Sequence, residues 1–456
     1  MATTAAHIVW LLLTVLYTFL AMGSCAPVPV APVYAVRIEA PDPAAEHERQ
    51  LSILSARGED SRRLLRAVQL FMDEHPGVLI SVHTVEQITD YGPALRSRLL
   101  ERGRVDLFHI FGHADMLELS EHLDDLSDLY WARDAIADTL EPVSVGELFF
   151  GIPFSVEGLG LIVNTRIFDY AGITLEGTDN DFDTLEDAWR ELRAQITLGN
   201  VLSAEFPYLE SVTSLPGRDD EFLSHQLASI ALGGEFASAA ATAQAMAVSY
   251  SNAGGMGLYV SLLARYTTHG GSWAALADIS HEQQVEGGLA IERVAAIQQC
   301  AGVYPRLVAA NPDLAGNLTL MPIPLPGAQQ SFVYTHAPAY WAVNAAAGED
   351  ARTLAREFLS WLYLSEAGAA LLAEEFGAFS PFRETAAPTG NALHTQLLGY
   401  IDRGQTLPRH HREFPHSWAT NSFASALREY FSDTSLSWEE VTQQVIHDWI
   451  IARATP

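Results

Sequence analysis

The chain contains no lysine. Each of its 26 fixed positive side chains is therefore an arginine, which excludes Schiff-base chemistry on lysine and a P-loop lysine gripping phosphate. Cysteine is nearly absent: Cys25 and Cys300 are the only two. Two thiols build neither a metal-thiolate cluster nor a disulfide framework. With Cys25 used in the N-terminal feature described below, Cys300 stands alone and reads as a small buried hydrophobe rather than a nucleophile. Positive charge is scarce too, since 56 Asp and Glu leave a net charge of −30. A surface this acidic repels nucleic acid and anionic lipid heads. Nucleic acid is excluded as a partner, and membrane contact needs a dedicated device. The motifs G-x-S-x-G, H-E-x-x-H and C-x-x-C do not occur, so those hydrolase, zinc and dithiol chemistries have no carrier.

What is present describes an ordered globular protein: 48% hydrophobic and 18% charged residues. At 456 residues the chain exceeds what one compact core supports, about 250–300 residues, so two large lobes are expected. Residues 8–22 form an apolar run, short for a membrane-spanning helix and suited to the hydrophobic part of a signal peptide at 1–24. Met22-Gly23-Ser24-Cys25 resembles a lipobox, in which Cys25 is lipidated and becomes the mature N-terminus. Met22 stands where leucine is usual, and the run is preceded by no arginine. A plain cleaved signal peptide or a signal anchor is the alternative. A-P-V-P-V-A-P-V and the charged stretch after it suit a tether over 25–49.

From residue 50 the pattern alternates. A strand is expected at 51–55, and a helix from Asp60 or Ser61 with apolar positions at Leu64, Leu65, Val68 and Phe71. A strand at 78–82, a helix at 91–101 and a strand at 105–110 follow. Strand–helix alternation argues for an α/β protein with mostly parallel sheets flanked by helices. Strands are expected again at 149–154, 160–163, 318–322 and 340–344. Helices are expected at 184–195, 351–375 and 438–452, and alanine-rich helical segments over 220–264 and 285–310.

The order of several phrases resembles the family 1 extracellular solute-binding proteins, the maltose-binding-protein-like receptors of ABC importers. The phrases are L-S-I-L-S-A-R-G-E-D at 51–60, E-H-P-G-V-L-I-S-V at 74–82 and G-R-V-D-L-F-H-I-F-G-H at 103–113. L-D-D-L-S-D-L follows at 123–129 and G-I-P-F-S-V-E-G-L-G-L-I-V-N at 151–164, the most specific of them. The rest are D-T-L-E-D-A-W at 183–189, N-P-D-L-A-G-N-L-T-L-M-P-I-P-L-P-G at 311–327 and A-R-E-F-L-S-W-L-Y-L-S-E-A-G at 355–368. The resemblance implies a two-lobed periplasmic-binding-protein fold, type II-like, with hinge crossovers between lobes. Lobe I would comprise 50–150 plus 328–373, and lobe II 151–327 plus 374–456. It further implies a monomeric, non-enzymatic lipoprotein without cofactor or metal, in the periplasm or otherwise outside the cytoplasm. Such a protein captures a small solute, a carbohydrate above all, by hinge closure and delivers it to the transmembrane subunits of an ABC permease. The alternatives are a secreted glycan-acting enzyme, or a solute-binding sensor or adhesin without transport.

In open α/β sheets ligands bind beyond the carboxyl ends of the strands. The loops at 55–60 and 111–115 follow expected strands, so Arg57, Glu59 and, ranked below them, Asp60 are candidate contacts. Phe111, His113 and Asp115 are candidates in the second loop. Asp60 can equally be a helix cap, Phe111 core and His113 an ordinary surface histidine. Glu157 matches a ligand-contacting glutamate of the family, beside Gly158 and Gly160, which allow close backbone approach; a solvated or hinge-pairing acid is the alternative. Trp418 lies near the family's stacking aromatic in lobe II, or else in the core of that lobe. Tyr340 and Trp341 alternate across a strand, so only one of them can be a contact. The tryptophan that sugar binders carry after a helix such as E-G-G-L-A-I-E-R-V-A-A-I is missing, and Glu292 and Arg293 lie there instead. Arg293 or Arg57 could then serve a phosphorylated or acidic ligand. D-N-D-F-D at 179–183 lacks the glycine of a calcium loop and reads as a helix-capping turn. His410, His411 and His416 lack the carboxylate spacing of a known metal site.

Overall fold

The computed structural model describes residues 49–455, apart from 86–87, 102–104, 176–180, 200, 269–272, 386–389 and 433–435 and the side chains of 59, 201, 273, 274 and 384. The signal segment, Cys25 and the tether lie outside the described residues.

Two main sheets organise the fold. The first has five strands in the order Val78–Thr84, Arg49–Ser55, Leu107–Ile110, Tyr340–Val343, Ile152–Pro153. The first three run parallel; Tyr340–Val343 opposes both its neighbours. Alternation then sorts the side chains by face. Leu51, Ile53, Leu107, Trp341 and Val343 pack under the helices Ser61–Glu74 and Glu349–Leu364. Leu54, Phe108, Ile110, Tyr340 and Ala342 pack with Tyr91, Leu95 and Leu99 of the helix Tyr91–Leu100 on the other face. Helices on both faces make the inner strands Leu107–Ile110 and Tyr340–Val343 buried hydrophobic runs. Pro153, which cannot donate to a ladder, sits on the edge strand.

The second sheet runs Thr406–Pro408, Val333–His336, Glu157–Asn164, Val294–Cys300, Ser211–Thr213, and Leu318–Met321 pairs the far end of Glu157–Asn164. Glu157–Asn164 opposes its neighbours, so Glu157 lies at the same end of the sheet as His336, Pro408, Thr213 and Cys300. Its strands also bury both faces. Leu159, Leu161, Val163 and Tyr334 face a core holding Trp189, Trp418 and Trp449, while Ile162, Ile297, Leu320 and Val333 face a second core with Leu393 and Leu397.

The alanine-rich segment expected to be helical over 285–310 holds the central strand Val294–Cys300. Its V-A-A-I-Q-Q-C run is buried on both faces through Gln299. A strand covered on both sides shows no polar alternation, so periodicity does not separate it from a buried helix. The strands Val333–His336 and Thr406–Pro408 are found where none was expected. The helix expected over 351–375 breaks at Ser365, whose side chain accepts from Gly368 N to cap the next helix.

The chain leaves the first sheet after Pro153 and enters the second at Glu157; it returns between His336 and Tyr340. Val333–His336 thus belongs to the second sheet, beyond the boundary expected at 327/328. The connecting segments are laced to one another: Phe154 N donates to Ala339 O at 2.8 Å and Val156 N to Phe379 O at 2.9 Å.

Candidate ligand-binding cleft

Because these crossings lie at one end of each sheet, the same ends face a common space. The carboxyl ends of Arg49–Ser55 and Leu107–Ile110 contribute Ala56, Arg57 and Phe111 from one side. Glu157, residues 218–222, Gln299, Cys300, Gly302, His336, Arg409, His411 and Arg412 come from the other, and Pro338 and Ala339 from a crossing. The cleft holds about 730 Å³, within the 300–1,000 Å³ or so usual for small-molecule sites.

On the first wall, Arg57 is held by Asp60, with Nε donating to Oδ2 at 2.6 Å, and its guanidinium lies 4.8 Å from the centre of the Phe154 ring. Asp60 is buried, makes no side-chain cap to its helix, and also accepts from Arg63 at 2.5 Å. It is therefore an ion-pair anchor for Arg57 rather than a cap. The side chain of Glu59 lies outside the described residues. Phe111 lines the cleft; Asp115 and His113 do not. Asp115 folds back to accept from Phe111 N at 2.9 Å, and burial raises its carboxyl pKa. His113 is buried in the turn, its N–H donating to Glu413 Oε1 at 2.8 Å.

That last contact crosses between the two sheets' lobes. Glu413 Oε1 and Oε2 accept from His113 N and Ala114 N at 2.8 and 3.0 Å, and Glu141 accepts from Ala239 N at 3.2 Å in the opposite sense. Burial pushes the Glu413 carboxyl up to about 7, against the two N–H groups that favour its charge. Gly112 is confined here, since a Cβ would meet Glu413 Oε1 at 2.6 Å.

On the second wall, Glu157 is half-buried and accepts from Gly302 N at 3.2 Å. Burial raises its pKa, while Arg57, Gly302 N and Arg409 pull it down. Gly302 leaves room for this carboxylate, since a Cβ there would come within 2.7 Å of Glu157 Oε1 and push the side chain aside. Gly158 and Gly160 serve packing instead of a ligand: a Cβ would strike Leu397 and Met321 O respectively, each at 2.6 Å. Arg409 is 6% exposed. Its Nε donates to Ser229 Oγ at 3.2 Å, and Nη1 approaches Cys300 Sγ at 3.6 Å and His336 Nδ1 at 3.4 Å. Burial pushes the Cys300 thiol up to about 12, which leaves it a weak nucleophile. Arg412 is solvent-exposed along the cleft, 5.2 Å from the Phe111 ring centre. His411 lies between His225 and His336, ring centres 5.2 Å away on each side. Burial first, then the neighbouring arginines, hold all three imidazoles below their ordinary value, His225 at about 4. Under this wall Gln226, Gln284, Gln298 and Gln299 form a buried network. Gln299 Nε2 donates to Gln284 Oε1 at 2.8 Å and meets His281 Nδ1 at 3.0 Å.

Other expected contacts lie elsewhere. Trp418 is 1% exposed and its indole N–H donates to Val445 O at 2.7 Å, so it is lobe core. Tyr340 and Trp341 are both buried in the first sheet, the latter packed 3.9 Å from the His109 ring centre. Arg293 precedes Val294–Cys300 and faces Glu210 at 3.6 Å, a strand length of roughly 20 Å from the cleft end. Asp181 caps its helix by accepting from Thr184 N, as the turn reading requires. No group of three or more metal-ligating side chains is found among the described residues. Arg409, Arg412, His336 and Gln299 were not singled out from sequence. The run R-H-H-R-E at 409–413 was the available signal, but its histidines drew the attention and its arginines form the wall.

Neither a family model nor a curated protein sequence matches the chain. Solved structures do. The binding protein MsmE of Bacillus subtilis, in an open conformation, superposes with a TM-score of 0.68 at 16% identity, over 90% of this chain and 99% of that one. Apo RafE of Streptococcus pneumoniae gives 0.67 at 14%, over 89% and 98%. A secreted solute-binding lipoprotein of Streptomyces coelicolor gives 0.65 at 18%, over 89% and 99%. The fold is that of the family 1 extracellular solute-binding proteins. At these identities the likeness is one of fold, and Arg409 and Arg412 are understood from this chain's own geometry.

Proposed function

We propose that this chain is the extracytoplasmic solute-binding component of an ABC import system, and that it captures a carbohydrate in the cleft between its lobes. The observation that carries the reading is a cleft of about 730 Å³ lined from both lobes across hydrogen-bonded crossings. Ligand that touches both walls stabilises the closed arrangement by its contacts to each. The crossings at 154–156 and 337–339 and the segment around Phe379 absorb the motion. Structures of this fold include RafE with raffinose, one bound with α-D-tagatose and one in complex with stachyose, which supports a carbohydrate as the solute class. Arg57, Phe111 and Glu157 are the expected-contact residues that line the cleft. Cys25 serves as the lipid anchor that holds this acidic protein at a membrane, and a permease receives the closed form.

A panel of mono- and oligosaccharides tested by thermal shift and small-angle scattering checks the reading. A ligand-dependent rise in Tm with a smaller radius of gyration and no turnover is expected. Turnover of a glycan that Glu157→Gln abolishes would make the chain an enzyme, and a response to peptides or polyamines alone would remove the sugar. Release of the full chain from membranes by Cys25→Ser tests the anchor.

A further inference from the structure

The second wall of the cleft gathers positive charge that carboxylates meet only at a distance: Glu221, Asp115 and Glu413 act on Arg412, and Glu157 on Arg409. Arg409 and Arg412 both line the cleft, and neither forms an ion pair with a carboxylate among the described residues. Scarcity of acids does not explain this in a chain with 56 of them and 26 arginines. Elsewhere arginines as varied as Arg49, Arg166, Arg265, Arg306, Arg356 and Arg428 each meet a carboxylate. Several acids near the cleft are engaged with other groups, while Glu221, which lines it, acts on Arg412 at a distance without closing an ion pair. Asp219 accepts from His281 N, Asp220 pairs with Arg428, and Glu157 is tied to Gly302 N. Glu413, next to Arg412 in sequence, turns away to the N–H groups of His113 and Ala114.

A guanidinium cannot shed its proton, so a buried one without a counter-charge is costly until an anion arrives. His411 adds a second, independent sign. It is 6% exposed, lines the same wall, and its Nδ1 has no hydrogen-bond partner. A buried polar atom without a partner calls for an explanation, and in the wall of a cleft a ligand group is one. The rings point the same way. Apart from histidines, Phe111 and Phe222 are the aromatic residues lining the cleft among the described residues, and Arg412 already lies over Phe111. No Trp or Tyr platform of the kind a neutral sugar stacks on is presented there.

We propose that the solute carries an anionic group, a carboxylate or a phosphate ester on a small carbohydrate, seated against Arg409, Arg412 and His411. The carbohydrate part rests on the function proposed above; the anion part rests on this wall alone. The planar fork of each arginine suits two parallel hydrogen bonds to a carboxylate or phosphate oxygen pair. His411 supplies a further hydrogen bond, and Arg57 faces the group from the opposite wall.

Isothermal titration of the lipid-free mature chain with D-glucuronate, glucose 6-phosphate, inorganic phosphate, glucose and raffinose tests it. The expected result is that one of the two sugar anions binds about tenfold or more tighter than glucose, with affinity falling as salt rises. Which of the two binds tighter separates the carboxylate from the phosphate source. Arg412→Gln, at an exposed position, should keep the Tm and lose about tenfold or more in affinity for the anion, a larger loss than for any neutral sugar. Arg409→Gln should do the same if it folds. Glucose or raffinose binding as tightly as the anionic sugars, or full anion affinity in Arg412→Gln, would overturn the inference and leave the sugar-binding reading standing. Binding of inorganic phosphate with no response to any sugar would do the reverse, keeping the anion site and removing the carbohydrate.

Discussion

The two walls of the cleft are built in opposite ways. The first is local and electrically closed: Arg57 and its partner Asp60 lie three residues apart, and Asp115 turns back to Phe111 N four residues away. The second gathers Glu157, Asp219, Gln299, His336 and 409–412 from across the chain, and among the described residues no carboxylate closes an ion pair with Arg409 or Arg412. A wall that satisfies its own charges is a fixed surface. A wall that does not is open to a partner, and the anion proposal therefore places specificity on the second side. Each of the following substitutions breaks or sharpens that contrast.

The largest effect is expected beneath the second wall. Trp418→Ala should cost about 3–5 kcal/mol in denaturant unfolding, as for a fully buried aromatic. Ligand affinity of the fraction that remains folded should stay within about twofold, since the indole faces Trp449 and Val445 O, not the cleft. A large loss of affinity without a loss of stability would return Trp418 to the wall.

Acid comes next. His394 is 2% exposed, stacked on Phe379, and burial holds its pKa at about 4 against 6.5 in the open chain. Between those values the unfolded chain binds a proton that the folded one refuses. Stability therefore falls as pH drops from 6.5 to about 4, by on the order of 3 kcal/mol from this residue. Glu413 works the other way. Its folded pKa of about 7 lies above the open-chain 4.5, so protonation adds stability as pH falls between them. From these two residues the contributions are of similar size and opposite sign, and His225 and His410, also held at about 4, tip unfolding measured across pH 4–7 toward a loss at acid pH. His394→Gln should shrink it, and Glu413→Gln should enlarge it, because the opposing gain is then absent.

On the first wall a smaller change is expected. Arg57→Ala should cost about 1 kcal/mol of stability, because Arg63 still holds Asp60. Its cost in ligand affinity should be smaller than that of Arg412→Gln, and titration of both variants with the same ligand ranks the two walls directly. The smallest effect is expected at Cys300. Burial and a thiol pushed up to about 12 predict slow labelling at pH 8 and, for Cys300→Ala, a Tm within a few degrees of the parent.

The first lobe was legible because its logic is short-range. Strand, loop and helix alternate within 51–110, the phrases resembling the solute-binding family fall in order, and the first wall follows directly from two strand ends. The second lobe hid its central strand. Val294–Cys300 is rich in alanine and covered on both faces, and its partners Glu157–Asn164 and Ser211–Thr213 lie far away in the chain. Trp418 read as a platform because aromatic type alone does not tell a core ring from a stacking one. Its burial depends on Trp449, Phe414 and Phe423 meeting it in space.

The sequence by itself determined the class of this protein: an acidic, lysine-free α/β chain too long for one core. Those properties follow from composition, strand–helix alternation and turn residues, each of which acts within a few residues. The tertiary structure alone decided where charge is left over. Whether an arginine meets a carboxylate depends on which distant segments arrive beside it. Asp60 reaches Arg57 within one turn, whereas Glu157 and Glu413, which act on Arg409 and Arg412, are held by Gly302 N and by the turn at His113.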